Sequence, residues 1–293
     1  MNMWRCLFLF LVLWSTQPRM VAAKESVTYS KSDSALVVSL LKTAANLRQP
    51  PESWNLYFAR QFINTPYVGG TLDRASEEKL VVNLTELDCT TFVEQVLALA
   101  QCAAHKSVSF HDFCEALRHV RYIGGEVSYV KRQHYFSAWI TDNAKEGLVK
   151  EIQAPAPPFD ATQEVNVNWM TTHVSDYKML TKHPEWEKGI RALEKETSGK
   201  RYRYVSKAAV ANTSLLRSTV HDGDIIAIVT NKQGLDISHI GFAAWRGDGL
   251  HLLNASSLHK CVVDEPMTLR QYLWKSRSRL GIRVIRCLEP SLP

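Results

Sequence analysis

The chain has 293 residues, 45% hydrophobic and 22% charged, with a formal net charge of +6. That balance is typical of a globular protein with a substantial core and excludes a disordered or fibrous chain. The positive charge is mild, and no recognition helix, zinc-finger spacing or RNA-binding signature accompanies it, so nucleic acid is not the expected partner. A slightly basic surface suits carboxylate-bearing material instead.

Residues 1–23 read as an export leader. Arg5 supplies the positive charge, Leu7 to Trp14 form a short apolar run, and Val21-Ala22-Ala23 offers the small residues a signal peptidase selects. The run falls well short of the ~20 residues a membrane helix needs, and no later stretch is long and apolar enough to span a bilayer. Cys6 precedes the run rather than ending it, which argues against a lipid anchor. The expectation is an exported, periplasmic protein with one domain over residues 24–293.

Helical spacing runs from Ala35 to Leu47, with Leu36, Leu40 and Leu41 on one side, and a second helix is expected over Trp54 to Phe62. Thr65-Pro-Tyr-Val-Gly-Gly-Thr reads as a turn. Leu80-Val-Val-Asn-Leu reads as a short strand. Asp88 stands where a cap belongs, before a helix over Cys89 to Ala104 that contains no Gly or Pro; a further helix around His111 to Val120 completes a hairpin. The middle, Gly124 to Thr213, gives little beyond a stiff loop at Ala154-Pro-Ala-Pro-Pro. Strands are expected at Ile225–Thr230, His239–Trp245 and Leu250–Asn254, the last two flanking the turn Arg-Gly-Asp-Gly. Leu269 to Ser276 reads as a helix and Gly281 to Leu288 as a final strand. Helices followed by an antiparallel sheet make an α+β pattern.

Beyond the leader there are five cysteines: Cys89, Cys102, Cys114, Cys261 and Cys287. An odd number in an oxidising compartment leaves one thiol over. Cys89 falls in the first turn of a capped helix, where free N–H groups and the helix dipole favour a thiolate, the nucleophilic form; an inert buried cysteine is the alternative. The remaining four are free to form two bridges, Cys102–Cys114 across the helical hairpin and Cys261–Cys287 to the last strand. His239 shares one face of its strand with Gly241 and Ala243, which leaves room beside the imidazole for a second side chain or a substrate; a core histidine bonded to backbone is the alternative. Asn254, across the expected hairpin, can accept from that imidazole and fix its tautomer. His251 is a rival for the same task. His111, Cys114 and His119 do not share one helix face, and no His-Glu-x-x-His or paired Cys-x-x-Cys occurs, so neither metal nor cofactor is expected. A Gly-x-Ser-x-Gly elbow is also missing.

Five ordered blocks, Tyr67-Val-Gly-Gly, Asp88-Cys89-Thr-Thr-Phe-Val-Glu, Asp222-Gly-Asp-Ile-Ile, His239-Ile-Gly-Phe and Leu-Leu-Asn254-Ala-Ser, resemble the NlpC-type papain-like cell-wall cysteine peptidases. Leu80-Val-Val-Asn-Leu-Thr-Glu-Leu-Asp-Cys and Tyr135-Phe-Ser-Ala-Trp-Ile resemble more narrowly their N-acetylmuramoyl-L-alanine amidase-like branch. The resemblance covers nearly all of the chain after the leader. It implies a papain-like α+β fold, with N-terminal helices packed on a C-terminal antiparallel sheet or partial barrel and the nucleophile at a helix N-terminus. By position it implies Cys89 as nucleophile, His239 as base, Asn254 as the third polar residue (often histidine in relatives) and Tyr67 as a hydroxyl near the oxyanion. The implied substrate is peptidoglycan or its fragments, cut between N-acetylmuramic acid and L-alanine.

Cleavage inside the stem peptide is the nearest alternative, and an inactive peptidoglycan-binding module is an alternative of another class. A thiol redox protein would want a second cysteine close to Cys89, and Cys102 lies more than three helical turns away. The spacer between Cys89 and His239 is longer than in compact relatives. Residues 131–214 are therefore expected to be inserted material, either shaping the substrate site or lying on the surface. Two basic-aromatic segments there, Lys131-Arg132 before Tyr135-Phe136 and Lys200-Arg-Tyr-Arg-Tyr204, are candidate carboxylate binders, with Arg246 and the turn at Gly69 behind them.

Overall fold

The computed structural model describes residues 27–288, so the leader expected over residues 1–23 lies outside the described residues. The first part of the chain is helical. β1 (Val27–Thr28) is followed by α1 (Lys31–Ala45), α2 (Trp54–Gln61), β2 (Leu80–Val81), α3 (Cys89–Ala104) and α4 (Phe110–Arg121). The middle carries α5 (Phe136–Lys145), β3 (Val149–Ile152), β4 (Ala161–Glu164), α6 (Trp169–Thr172), α7 (Lys178–Lys182), α8 (Glu187–Thr197) and β5 (Arg201–Ser206). The last part comprises α9 (Ser214–Thr219), β6 (Ile225–Thr230), β7 (Ile237–Trp245), β8 (Leu250–Ser256), β9 (Cys261–Asp264), α10 (Leu269–Trp274) and β10 (Arg279–Cys287).

The main sheet runs in the order β4-β5-β10-β6-β7-β8-β9, each neighbouring pair antiparallel, and β3 pairs with the far end of β10. β1 and β2 form a separate parallel pair. All six residues of β6 are buried, as a near-continuous apolar run in a sheet covered on both faces should be. One face meets α1 to α5, where Phe92 of α3 sits edge-on to Phe242 of β7 with ring centroids 5.5 Å apart. The opposite face packs Ile226, Ile228, Ile282 and Val284 against Leu216 of α9 and Leu269 and Leu273 of α10. The fold is thus a mixed α and β architecture with an antiparallel sheet.

α3 is the axis of the helical layer. Residues Thr91 to Ala103 are all buried, and the one carboxylate among them, Glu94, is met at 2.6 Å by the fully buried Arg121 of α4. Arg121 also donates to the Val81 carbonyl at 2.7 Å, tying β2 to the hairpin. A charge this deep needs its partner, because desolvation is several kcal/mol per ion.

Several expectations change. The buried stripe of α1 is Val37, Leu41 and Ala44, while Leu36 faces solvent, because packing against α3 selects the i, i+4, i+7 row. The strand expected over residues 80–84 is only Leu80–Val81, and β9 is an additional strand. Among the described residues no bridge forms: Cys89, Cys102, Cys114, Cys261 and Cys287 are all free. β9 and β10 are separated by β8, β7 and β6, four steps of about 4.8 Å, which places Cys261 and Cys287 beyond the roughly 7 Å limit for a disulfide. Cys102 and Cys114 are buried apolar packing residues of the α3–α4 hairpin. Residues 131–214 supply β3 and β5, which both hydrogen-bond to β10, and α5, whose Trp139 and Ile140 lie in the first core. A third apolar cluster, around Tyr129, Tyr135, Met179 and Ile190, holds α6 to α8.

Candidate active site

Asp88 caps α3 reciprocally with Thr91. Its carboxylate accepts from the Thr91 N–H at 2.8 Å and the Thr91 hydroxyl at 2.9 Å, while the Asp88 N–H donates to the Thr91 hydroxyl at 2.9 Å. Cys89 is therefore the first helical residue, half-buried. The segment before the cap is pinned to a second one: Leu87 and Val68 exchange backbone bonds with Pro66 and Leu87, and the Tyr67 N–H donates to the Lys260 carbonyl at 2.8 Å. Thr65 to Tyr67 thus run between the Leu87 segment and the edge of β9. This brings Tyr67 beside the start of α3, and the turn is completed by Gly70 at φ +72°.

The thiol is not activated by position alone. Burial pushes Cys89 up to about 12, and the adjacent Asp88 carboxylate adds to the rise. The Thr90 hydroxyl and the Ile240 and Thr90 backbone groups act in the other direction. Desolvation and the Asp88 charge therefore oppose the thiolate that the helix start favours. Tyr67 rises to about 12, through burial first and then the Cys89 and Asp88 charges. It is therefore a neutral hydroxyl able to donate.

The backbone contact with Ile240 links the α3 start to β7, whose preceding residue is His239. β6 and β7 pair Ile228 with His239 but Val229 with Ile237, so Ser238 is an extra residue on β7. A bulge of this kind bends the strand and re-aims the side chain next to it. His239 Nε2 lies 2.7 Å from Asn254 Oδ1 on β8. With Nε2 donating to that oxygen, the neutral tautomer leaves Nδ1 as the unprotonated ring nitrogen. His239 is held below its ordinary 6.5 by burial and by the Arg279 charge, with the Asn254 hydrogen bond opposing.

Asn254 is in turn oriented from behind. It is fully buried, and its Nδ2 donates to the Leu252 carbonyl at 3.3 Å and to Glu265 Oε1 at 3.4 Å. Both acceptors need the amide nitrogen, so Oδ1 is the atom left for His239. Glu265, buried beyond the end of β9, also meets His259 Nε2 at 3.2 Å. His251, the rival, bonds the Glu265 carbonyl at 2.8 Å and Asp248 at 2.9 Å and does not take part.

A cavity of about 210 Å³ opens on His239, lined by Lys232, Ser238, Ser256, Leu258, Tyr272 and Arg279 among others. The Tyr272 ring lies 6.4 Å from that of His239, centroid to centroid, and feels the Cys89 charge, so one neighbourhood contains all three. The sequence reading missed Gly241's contact with Asn254, and also Glu265, Tyr272 and Arg279. The alternation of small residues along β7 pointed to the first, whereas the other three lie on elements whose register only pairing defines.

Three arginines among the candidate carboxylate binders already have carboxylate partners. Arg132 is buried, paired with Asp73 at 2.6 Å and Glu78 at 3.3 Å, and stacked on Tyr129. Arg201 pairs with Glu164, and Arg246 with Asp264. Among the described residues no three His, Cys, Asp or Glu side chains converge as a metal set would, and no helix is long and apolar enough to cross a membrane.

Residues 57–282 match a family model described as AmiA-like: N-acetylmuramoyl-L-alanine amidase-like. A Bacteroides uniformis protein described as an N-acetylmuramoyl-L-alanine amidase is 34% identical, with a TM-score of 0.74, covering 80% of this chain and 97% of its own. A Bacteroides fragilis protein described as a candidate xylanase is 37% identical, with a TM-score of 0.73, covering 79% and 99%. A Legionella pneumophila protein is 26% identical, with a TM-score of 0.65, covering 88% and 95%. No curated protein matches the chain.

Proposed function

The chain belongs to the N-acetylmuramoyl-L-alanine amidase-like family, and from that premise we propose that it is a cysteine amidase. In this reading it hydrolyses the amide between N-acetylmuramic acid and L-alanine in peptidoglycan or its fragments, on a papain-like, NlpC-type framework. Residues 1–23 direct it out of the cytoplasm, to the periplasm. The observation that carries the reading is the 2.7 Å contact of His239 with Asn254, on a strand whose next residue, Ile240, has its backbone near the Cys89 sulfur.

Both partners start neutral. Burial raises Cys89 to about 12 and lowers His239, which favours the neutral pair over an ion pair before substrate arrives. His239 Nδ1 takes the Cys89 proton as sulfur attacks the lactyl carbonyl, and the carbonyl oxygen becomes an oxyanion. The Tyr67 hydroxyl and the unpaired N–H groups of the α3 first turn offer donors for that charge. The imidazolium, steadied by Asn254, returns its proton to the alanyl nitrogen; the C–N bond breaks and a thioester remains. Water, deprotonated by His239, then attacks the thioester and restores the thiol.

The name of the B. fragilis relative raises glycoside hydrolysis, which ordinarily needs two carboxylates flanking the scissile bond. The cavity beside His239 presents cations and hydroxyls and no carboxylate, which favours the amide. Mass spectrometry of a disaccharide-peptide digest tests the bond. Free peptide beginning at L-alanine is the expected product, and a shortened stem would assign endopeptidase cleavage instead.

A further inference from the structure

Several arginines among the described residues are neutralised in place. Arg121 meets Glu94, Arg132 meets Asp73 and Glu78, Arg283 meets Glu151, and Arg286 meets Asp224. Arg279 is different. Its guanidinium stacks on Tyr272 with its carbon 3.8 Å from the ring centroid, and Nη1 donates to the Tyr272 carbonyl at 2.6 Å. Nε and Nη2 have no partner among the described residues, and neither does the Lys232 ammonium across the same cavity. Stacking and one backbone bond fix the plane of the guanidinium while leaving two donors free, the arrangement that suits a carboxylate. The rest of the lining adds the hydroxyls of Ser238, Ser256, Ser276 and Ser278, and Leu258, which is 71% exposed at the β8–β9 turn.

The side of the site follows from the chemistry, and this step rests on the amidase reading. The leaving amine must take its proton from His239, so the departing peptide passes His239, and the cavity that His239 lines is where it goes. We propose that Arg279, assisted by Lys232, binds the free carboxylate of the leaving peptide and makes the enzyme selective for acidic stems. The ligand class is a short peptide with its N-terminal nitrogen at the scissile bond and a carboxylate within one or two residues of it. Leu258 covers its apolar side.

The test compares an N-acetylmuramoyl tetrapeptide carrying the free glutamyl α-carboxylate with its carboxamide counterpart. The wild type should favour the acid by about tenfold in KM, the worth of one charge-assisted hydrogen bond, with a smaller change in kcat. Arg279→Gln should lose that preference, Arg279→Lys should keep part of it, and Lys232→Gln should reduce it by about twofold to threefold. A general loss of stability would lower activity on both substrates alike and would leave the preference intact. Equal losses on acid and carboxamide in Arg279→Gln, or no preference in the wild type, would overturn the assignment. If the wild type does not cut at the lactyl bond, the amidase reading fails by itself. The carboxylate site is then read from calorimetric binding of the two free tetrapeptides to the Cys89→Ala protein, where equal affinities would overturn it and tighter binding of the acid would support it.

Discussion

Gly241 and Asn254 face each other across β7 and β8 so closely that a Cβ on residue 241 would lie 2.8 Å from the Asn254 Cβ and 2.7 Å from the Leu253 carbonyl oxygen. Real side chains do not approach this closely, and the backbone carbonyl cannot yield without disturbing the ladder. The absence of one methyl group therefore lets the Asn254 amide lie against the strand and reach His239. Gly241→Ala should displace the amide, costing about 1–3 kcal/mol of stability from overpacking and at least tenfold in kcat. Thermal unfolding beside kinetics checks this; wild-type turnover in a folded variant would remove the steric argument.

Cys89→Ala should abolish hydrolysis with little change in the unfolding transition, because the side chain is half-buried and small. His239→Ala should be similarly severe, since positioned proton transfer is worth ~10²–10⁴-fold. Asn254→Ala should be milder, about tenfold to a hundredfold, the value of a hydrogen bond to a group that becomes charged. Full activity of the Cys89→Ala protein on muropeptides would exclude the cysteine mechanism.

Glu265 holds Asn254 in the orientation that offers Oδ1 to His239. Glu265→Gln can present either its oxygen or its nitrogen to Asn254, so it should lower kcat while leaving KM nearly unchanged. Because Glu265 also meets His259, His259→Ala separates the two contacts. It should leave kcat near wild type if the link to Asn254 is the one that matters, and a loss matching Glu265→Gln would show that the whole chain to His259 is needed.

The pH behaviour follows from the direction of two histidine shifts. Burial lowers His239, and His134 falls to about 3 through burial and the Arg132 charge. Both are neutral in the folded protein at pH values where the unfolded chain, near 6.5, already binds protons. Stability from this source is therefore complete above pH 6.5 and declines as pH falls below it. In activity, the acid limb of kcat/KM should lie below 6.5, because the base is available only while His239 is neutral. An acid limb centred above 6.5 would rule out His239 as that base.

Arg121→Met should be the most destabilising of these substitutions, by about 3–5 kcal/mol, since it strands the Glu94 carboxylate inside the helical layer. Replacing Glu94 and Arg121 together by apolar residues should recover much of that loss. Denaturant unfolding of the single and double variants measures the difference, and additive losses would contradict the coupling.

Much of the framework was legible from local chemistry. Asp88 followed by an unbroken apolar-rich run marks a helix start, and α3 begins at Cys89. The apolar run Ile225–Thr230 and the Arg-Gly-Asp-Gly turn locate β6 to β8. The middle of the chain was not legible: β3 and β5 carry charged residues along their length, and they become strands because β10 and β4 offer them hydrogen-bonding partners.

For the candidate site, local chemistry along the chain identifies the residue types and their order: a cysteine at a capped helix start, a histidine beside small residues, and an asparagine on the following strand. These are properties of neighbours along the chain, set by caps, periodicity and turn residues. Their surroundings and partners come from contacts between distant parts of the chain. Burial and Asp88 push the Cys89 thiol up, against the pull of the helix start. Asn254 rather than His251 meets His239, because the pairing of β7 with β8 and the missing Cβ at Gly241 put one within reach and turn the other toward Asp248. Arg279 stays unpaired while Arg132 is neutralised, because carboxylates distant in sequence converge on one cation and not the other. Desolvation, register and charge pairing all depend on groups far apart in sequence, so reading along the chain cannot supply them.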